Sequence, residues 1–274
     1  MYSTCLCTFF LIHCIASQHL GYLWGIVMHR NIFGGVLVLL LLNFNSVYGQ
    51  VDLQQLSITD YQACITNASQ RVNRNSDDFE AHYYLAVCYA RLGYTESSND
   101  RRMNLFEMAL NHANEALRLK PDDFRSHHAM GMTLGRTAEF SSARDRVAKT
   151  RDIKEHADRA IELNPAHGGS WIVLGQLIFR VANLSNAERL AANVLFGGFP
   201  FEASNDMAFE AMNNAIKHES EFIYHYLTLA RAYLTARKND EAREVLLRAQ
   251  QLEPLTPDDP DHLESIERLL DRIR

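Results

Sequence analysis

Three arginines recur at one position of an internal sequence repeat, and their chemistry suits the binding of carboxylates. Arg91, Arg136 and Arg180 each follow an apolar residue of the repeat by six positions. A planar guanidinium forms two parallel hydrogen bonds with a carboxylate. We therefore predict a ladder of arginines along one groove, with a peptide carboxylate or an acidic protein segment as its ligand. The alternative is that these arginines pair with acidic neighbours or remain solvated.

Other positions in the first helix of each repeat are predicted to face the same groove. The repeat register selects Tyr83, Arg125, His128, Gln176, Phe179, Tyr224 and Arg231 in addition to the three arginines. Tyr83, Phe179 and Tyr224 would supply apolar anchoring beside the charged groups. Together these ten residues are the predicted partner-binding surface.

Signals of catalysis are weak in this chain. It contains no G-x-S-x-G, no H-E-x-x-H and no glycine loop of the phosphate-binding type. None of the 12 histidines lies three or four residues from another, the spacing that would place two ligands on one helix face. We predict no catalytic residue, cofactor or metal site. A hydrolase or metal enzyme is the competing hypothesis, which a cluster of histidines and carboxylates in the groove would favour.

Two cysteines are placed symmetrically about a predicted turn. Cys64 and Cys88 lie 12 residues on either side of Ser76, so they come level in an antiparallel helix pair. In an oxidising compartment they could form a disulfide, provided that both side chains point into the seam. The alternative is a pair of buried thiols at positions that require small residues.

The elements that must position these residues are pairs of helices. Residues 223–254 carry apolar residues at three- and four-residue steps in two successive stretches, which are Tyr226, Leu229, Ala230 and Tyr233, then Ala242, Leu246 and Ala249, followed by Pro254. This spacing is typical of a tetratricopeptide repeat. We predict an all-α fold, a right-handed tetratricopeptide-repeat solenoid with a C-terminal capping helix.

The same spacing fits three earlier segments with less regularity. Repeats are predicted at about 79–121, 124–165, 168–220 and 223–254, with a cap at 261–274. The first three exceed the usual repeat length, and the excess lies near 94–104, 137–147 and 182–205. We expect longer helices or additional helical turns there, because structureless loops of that length are uncommon. One further amphipathic helix is predicted at 59–72, with Thr59 as its N-cap.

The N-terminal part has a different composition from the repeats. Residues 1–49 contain one Lys or Arg, Arg30, and no acidic residue. From Met28 the chain reads as a signal peptide, 28–49, with cleavage before Gln50. The predicted division is therefore an upstream extension at 1–27, the signal at 28–49 and a repeat domain at 50–274.

This signal determines the predicted location of the protein. Its apolar run of 11 residues, 32–42, is shorter than the roughly 20 residues that span a bilayer, so we predict no stable membrane span after cleavage. The predicted location is secreted or periplasmic. Anchoring by an uncleaved signal and a cytoplasmic location are the alternatives.

Charge limits the classes of partner. The formal net charge is −6 and no basic run is present, so nucleic acid is not expected as a partner. We expect a protein or peptide partner, acidic at the contact. The function predicted from the residues is a non-enzymatic scaffold, with a structural module that oligomerises as an alternative.

Three stretches of the chain carry a family resemblance. They are residues 154–161 leading to Pro165, residues 174–185 leading to Pro200, and Pro254 followed by residues 256–259. In these stretches the chain resembles the regulator of microtubule dynamics family. The resemblance implies a helical repeat fold and a binding role, with microtubule association known for some animal members. A microtubule-associated regulator is therefore a further alternative function.

Overall fold

The structure is a computed structural model that describes residues 60–196, 198–199 and 201–273. Over these ranges the regular structure consists of eleven α-helices and no strand. They are α1 Tyr61–Arg74, α2 Phe79–Thr95, α3 Asn99–Leu119, α4 Phe124–Ala138, α5 Ala143–Leu163, α6 Gly168–Ala182, α7 Asn186–Phe196, α8 Asn205–His218, α9 Ile223–Thr235, α10 Asn239–Ala249 and α11 Asp259–Arg272. The predicted extension and signal peptide lie outside the described residues.

The helices pack as antiparallel pairs that stack in chain order. The pairs are α2 with α3, α4 with α5, α6 with α8 and α9 with α10. The first helices of successive pairs also contact one another, α2 with α4, α4 with α6 and α6 with α9. The first helices therefore form one row of the solenoid, while α1 packs on α2 and α11 packs on α9 and α10. The predicted all-α tetratricopeptide solenoid with a C-terminal capping helix is confirmed.

Small residues allow the paired helices to approach closely. Alanines with 0 or 1% exposure line the seams on the second helices, namely Ala109, Ala113 and Ala116 on α3, Ala157 and Ala160 on α5, Ala208 and Ala215 on α8, and Ala242 and Ala249 on α10. Gly175 on α6 shows how tight one seam is, because a Cβ there would lie 2.7 Å from Cγ of Met212 and 3.2 Å from the carbonyl oxygen of Ala208. The helix axes can cross at this distance only without a side chain at position 175.

One hydrogen bond recurs in all four repeats with different side chains. His82 Nε2, His127 Nε2, Trp171 Nε1 and the Tyr226 hydroxyl lie 3.0, 2.8, 2.8 and 2.8 Å from the backbone carbonyl oxygen six residues earlier. In each case the bond ties the first helix to the loop that enters it. The residue type at this position therefore differs between the repeats, whereas a side-chain hydrogen-bond donor is present in each of the four.

The lengths of the irregular segments are explained by additional helix. The second helices α3 and α5 each run for 21 residues, and the third repeat inserts the whole of α7 between its paired helices. Longer helices and additional turns were the expectation for these segments. The predicted N-cap of α1 was one residue too early, because Asp60 accepts from the backbone N–H of Gln62 at 2.8 Å and the helix begins at Tyr61.

None of the helices in the part of the chain that the structure describes has both the length and the apolarity needed to span a bilayer.

Candidate functional site: a pocket lined by arginines

One pocket lies where α4, α5, α6 and α9 face one another. It has a volume of about 390 Å³, and its described lining includes four arginines, Arg136, Arg146, Arg180 and Arg231. The only acidic residue in that described lining is Glu139. We call this site the arginine pocket. Its net positive charge suits an anionic group.

The rest of the lining is apolar and aromatic. Ile153, Leu177 and Met212 are buried at its inner side, and Tyr94, Phe179 and Tyr224 bring aromatic rings to it. Such a mixture is typical of sites that hold an apolar group beside a charged one. The pocket can therefore take an apolar side chain together with a carboxylate.

The four arginines differ in what they contact. Arg136 donates to the Tyr224 hydroxyl at 3.2 Å, lies 3.7 Å from Glu139 and stacks over the Tyr94 ring at 4.6 Å. Arg146 donates through one terminal nitrogen to the backbone carbonyl of Ser141, whereas its Nε is buried and without a hydrogen bond to any described residue.

Arg180 and Arg231 are the exposed members of the set. Neither guanidinium forms a hydrogen bond or an ion pair with another residue that the structure describes. Their N–H groups are donors at the pocket that a ligand could use.

Tyr224 is held in place between two donors. Its hydroxyl accepts from Arg136 at 3.2 Å and from the Gln176 side-chain amide at 2.8 Å. Burial alone would raise the pKa of Tyr224, but the charge of Arg136 and these hydrogen bonds outweigh it and lower the pKa. The ring is therefore fixed at the wall of the pocket, where it also lies 5.4 Å from the ring of His262.

The predicted binding residues divide into two groups. Six of them line the arginine pocket, namely Arg136, Gln176, Phe179, Arg180, Tyr224 and Arg231. The other four, Tyr83, Arg91, Arg125 and His128, lie outside it and already have intramolecular partners. For Tyr83 the prediction of a groove contact needs correction, because its side chain is 2% exposed and packs in the core.

Arg91 and Arg125 are paired with acidic residues of the same chain, which was the alternative to a ligand-binding role. Arg125 binds Glu80 at 2.7 Å and Asp123 at 2.8 Å, and it lies over the Phe79 ring at 4.8 Å. Arg91 lies 3.4 Å from Asp258, a residue near the other end of the solenoid. Arg136 likewise lies 3.7 Å from Glu139, so among the three arginines of the ladder only Arg180 has no hydrogen bond or ion pair with a described residue.

Histidines and one carboxylate meet beside these residues. His128 lies 3.4 Å from the Tyr83 hydroxyl, and its ring packs edge-on against His167 at 4.6 Å. Glu219 accepts from His225 at 2.9 Å and from the backbone N–H of Gly168 at 2.9 Å. Burial lowers the pKa of His128 well below its usual range, so this ring is neutral.

Histidines meeting a carboxylate are the arrangement that would favour an enzyme, and here the carboxylate of Glu219 is bonded within the fold. Both Glu219 oxygens are occupied, one by His225 and one by the N-terminus of α6. None of these side chains lines the arginine pocket. Among the described residues, no group of three or more His, Cys, Asp or Glu could hold a metal ion.

Cys64 and Cys88 are joined by a disulfide that links α1 to α2, with their Cα atoms 6.5 Å apart. Both residues are buried, with exposures of 2% and 3%. The bond attaches the extra N-terminal helix to the first repeat, at the end of the solenoid where Tyr61 also lies.

Two features of the site were missed from the sequence. Arg146 lies on a second helix, whereas the groove positions were selected from the first helix of each repeat. It reaches the pocket because the long helix α5 extends to it. Asp258 was noted only as part of a family motif. The acidic run at 258–259 after a proline was the only signal for it.

The fold and the site define a class of protein: a tetratricopeptide-repeat solenoid with a cationic pocket on its row of first helices. Residues 49–274 match the family described as Regulator of microtubule dynamics protein 1-3, and the chain belongs to that family.

Similar proteins cover part of the chain. Regulator of microtubule dynamics protein 3 of Rattus norvegicus is 30% identical over 137 residues, which are 48% of this chain and 28% of that protein. Regulator of microtubule dynamics protein 1 of Caenorhabditis elegans is 28% identical over 120 residues, 44% of this chain and 53% of that protein. The chain thus spans about half or less of these relatives.

A solved structure supports the fold. The crystal structure of a thermophilic TPR protein from Thermus thermophilus aligns with a TM-score of 0.55 and 19% identity, covering 77% of this chain and 90% of that one.

Proposed function

We propose that this protein is a non-enzymatic interaction scaffold that holds an acidic segment of a partner protein in the arginine pocket. The observation that carries the proposal is the charge of the pocket, with four arginines facing one glutamate in the described lining. A partner carboxylate would accept from Arg180 and Arg231, and an adjacent apolar side chain would pack against Phe179 and the buried lining.

The fold supports a binding role of this kind. Stacked helix pairs present a continuous surface along their first helices, and repeat proteins use extended surfaces of this kind for binding. The exposed guanidinium groups of Arg180 and Arg231 can exchange water for a ligand carboxylate, to which arginine can donate two parallel hydrogen bonds.

A direct binding measurement tests the proposal. The probe is a fluorescein-labelled 12-residue peptide of alternating glutamate and leucine, compared by anisotropy with the same peptide carrying glutamine for glutamate. We expect the acidic peptide to bind and the Arg180→Ala, Arg231→Ala variant to weaken it roughly fivefold to thirtyfold, because each exposed arginine loses a contact with a carboxylate that contributes about 0.5 to 1 kcal/mol.

The matched control removes the same charge elsewhere. Arg144 and Arg151 are exposed on α5, outside the pocket lining. The Arg144→Ala, Arg151→Ala variant should bind the acidic peptide within about twofold of the unchanged protein. Equal losses in both double variants would mean that the peptide responds to net charge, and the pocket would not be the site.

A second candidate function follows from the family. The names of the relatives refer to microtubule dynamics, and microtubule association is therefore the alternative partner for this chain. Its net charge of −6 gives no electrostatic attraction to an acidic filament surface. Co-sedimentation of residues 50–274 with polymerised tubulin, in low and high salt, tests this alternative.

A third candidate is self-assembly through the inserted helix α7. Leu190 and Val194 lie four residues apart on it and are 64% and 74% exposed. Light scattering across a wide concentration range would detect assembly, and Leu190→Glu with Val194→Glu should abolish it. A monomer at all concentrations would reject this candidate.

A further inference from the structure

The first arginine of the ladder already holds a carboxylate, supplied by the same chain. Asp258, in the turn before α11, lies 3.4 Å from a terminal nitrogen of Arg91 and accepts a hydrogen bond from the hydroxyl of Tyr61. Asp258 is 167 residues from Arg91 and 197 from Tyr61 in sequence. The contact therefore joins α1 and α2 to the C-terminal turn.

The turn is built to present this carboxylate. The neighbouring Asp259 is 1% exposed and accepts from the backbone N–H groups of Leu255 and Thr256 at 2.9 and 2.7 Å. Asp259 also pairs with His262 Nδ1 at 3.1 Å. With Asp259 anchoring the turn, Asp258 is left to point at the other end of the solenoid.

The same contact is adjacent to the arginine pocket. His262 lies 3.7 Å from Asp258, and its ring lies 5.4 Å from the ring of Tyr224, which lines the pocket. Arg91 also occupies the same repeat position as Arg136 and Arg180. The surface that the partner would follow thus continues from the pocket to a subsite that Asp258 fills.

We propose that Asp258 is an internal substitute ligand, which an acidic segment longer than the pocket must displace from Arg91 and Tyr61. This inference rests on the proposed function. It also specifies what the repeat position of Arg91 binds. The ligand is a side-chain carboxylate held by a guanidinium and a tyrosine hydroxyl, because Arg91 and Tyr61 hold Asp258 in this way. Binding of a partner segment then competes with the contact of Asp258 with Arg91 and Tyr61.

The test uses the full repeat domain and the 12-residue glutamate–leucine peptide. Asp258→Asn removes the competing charge and keeps the shape of the side chain. The peptide should then bind about tenfold more tightly, since a charge-assisted contact no longer has to be broken. Adding Arg91→Gln to Asp258→Asn should remove the gain, because the freed subsite loses its guanidinium.

Asp261→Asn is the matched control, since Asp261 is exposed in the first turn of the same helix. It should leave the affinity within about twofold. Equal tightening by Asp258→Asn and Asp261→Asn, or no tightening by a folded Asp258→Asn, overturns the proposal. If the Asp258→Asn variant does not fold, Tyr61→Phe provides a second test because it removes one hydrogen bond to Asp258. It should tighten peptide binding by less than tenfold. Unchanged affinity in Tyr61→Phe would also overturn the proposal.

The outcomes separate this inference from the proposed function. Peptide binding that requires Arg180 and Arg231 but ignores Asp258 rejects only the internal ligand. Binding by the Asp258→Asn variant alone supports the internal ligand, and it shows that the contact of Asp258 with Arg91 prevents the unchanged protein from binding the peptide. No binding by any variant rejects both.

Discussion

His82 and His112 face each other across the first repeat with their Nδ1 atoms 3.0 Å apart. His127 and His156 repeat the arrangement in the second repeat at 2.9 Å. Because His82 and His127 donate through Nε2 to carbonyl oxygens, their Nδ1 atoms must accept, and the partner histidine must donate. Each pair therefore shares one proton along its Nδ1–Nδ1 contact.

The partial burial of His112 and His156 predicts a loss of stability in mild acid. Burial, with a smaller effect of His82, lowers the pKa of His112 to about 4, and burial also lowers the pKa of His156. Both pKa values are lower in the folded than in the unfolded chain, so below pH about 6.5 the unfolded chain binds more protons. Stability is full above that pH and falls as the pH drops towards about 4, by about 1 to 2 kcal/mol for the partly exposed His112.

Urea denaturation between pH 7.5 and 4.5 measures this effect. Glutamine can donate to His82 without titrating, so His112→Gln with His156→Gln should reduce the slope of stability against pH. Some slope should remain, because burial lowers the pKa values of His128 and His167 as well. A flat profile for the unchanged protein over this range would contradict the lowered pKa values of His112 and His156.

The local part of the fold could be predicted from the sequence. Apolar spacing identified the helix pairs because each pair follows from contacts close in sequence. It also placed Arg136, Arg180 and Tyr224 on one surface, since successive first helices stack in register. The solenoid class followed from this spacing, whereas the family followed from the resemblance of residues 154–161, 174–185 and 256–259.

The long-range part could not be predicted in this way. The contact between Arg91 and Asp258 depends on how the inserted segments set the curvature of the stack, and no sequence spacing encodes that curvature. Arg146 reaches the pocket only because α5 is longer than a standard second helix. Tyr83 was assigned to the groove by register, whereas the tight packing of α2 buries it.

The disulfide predicts a stability that depends on redox conditions. Cys64 and Cys88 are 24 residues apart, and closing a loop of that size stabilises a chain by about 3 kcal/mol. Because both cysteines are buried, the protein should be reduced in denaturant and then refolded with a reductant present. The denaturation midpoint should fall, while Cys64→Ala with Cys88→Ala should show the lower midpoint under either condition. Labelling by a maleimide in denaturant without reductant would show instead that the thiols are free.

Replacing Gly175 by alanine should destabilise the packing of α6 on α8, and the same replacement at a second glycine provides the control. Gly175→Ala would place its Cβ against Met212 and the backbone of Ala208, so we expect a loss of about 1 to 3 kcal/mol. At Gly135 on α4 an added Cβ meets nothing within 4 Å. Gly135→Ala should therefore stabilise by about 0.5 to 1 kcal/mol through helix propensity. Thermal unfolding of the two variants compares them, and a loss of similar size in both would locate the effect outside the α6–α8 seam.

The recurring bond to the entry loop predicts that its donor matters in each repeat. Tyr226→Phe keeps the buried ring but leaves the carbonyl of Ser220 without the hydroxyl donor at 2.8 Å. We expect a loss of about 1 to 2 kcal/mol in chemical denaturation, and a similar loss for Trp171→Phe, which removes the bond to Pro165. Tyr89→Phe is the control, because its hydroxyl bonds to no described residue and its ring stacks on His112. If Tyr89→Phe costs as much as Tyr226→Phe, the hydroxyl bond to the loop is not what stabilises the repeat.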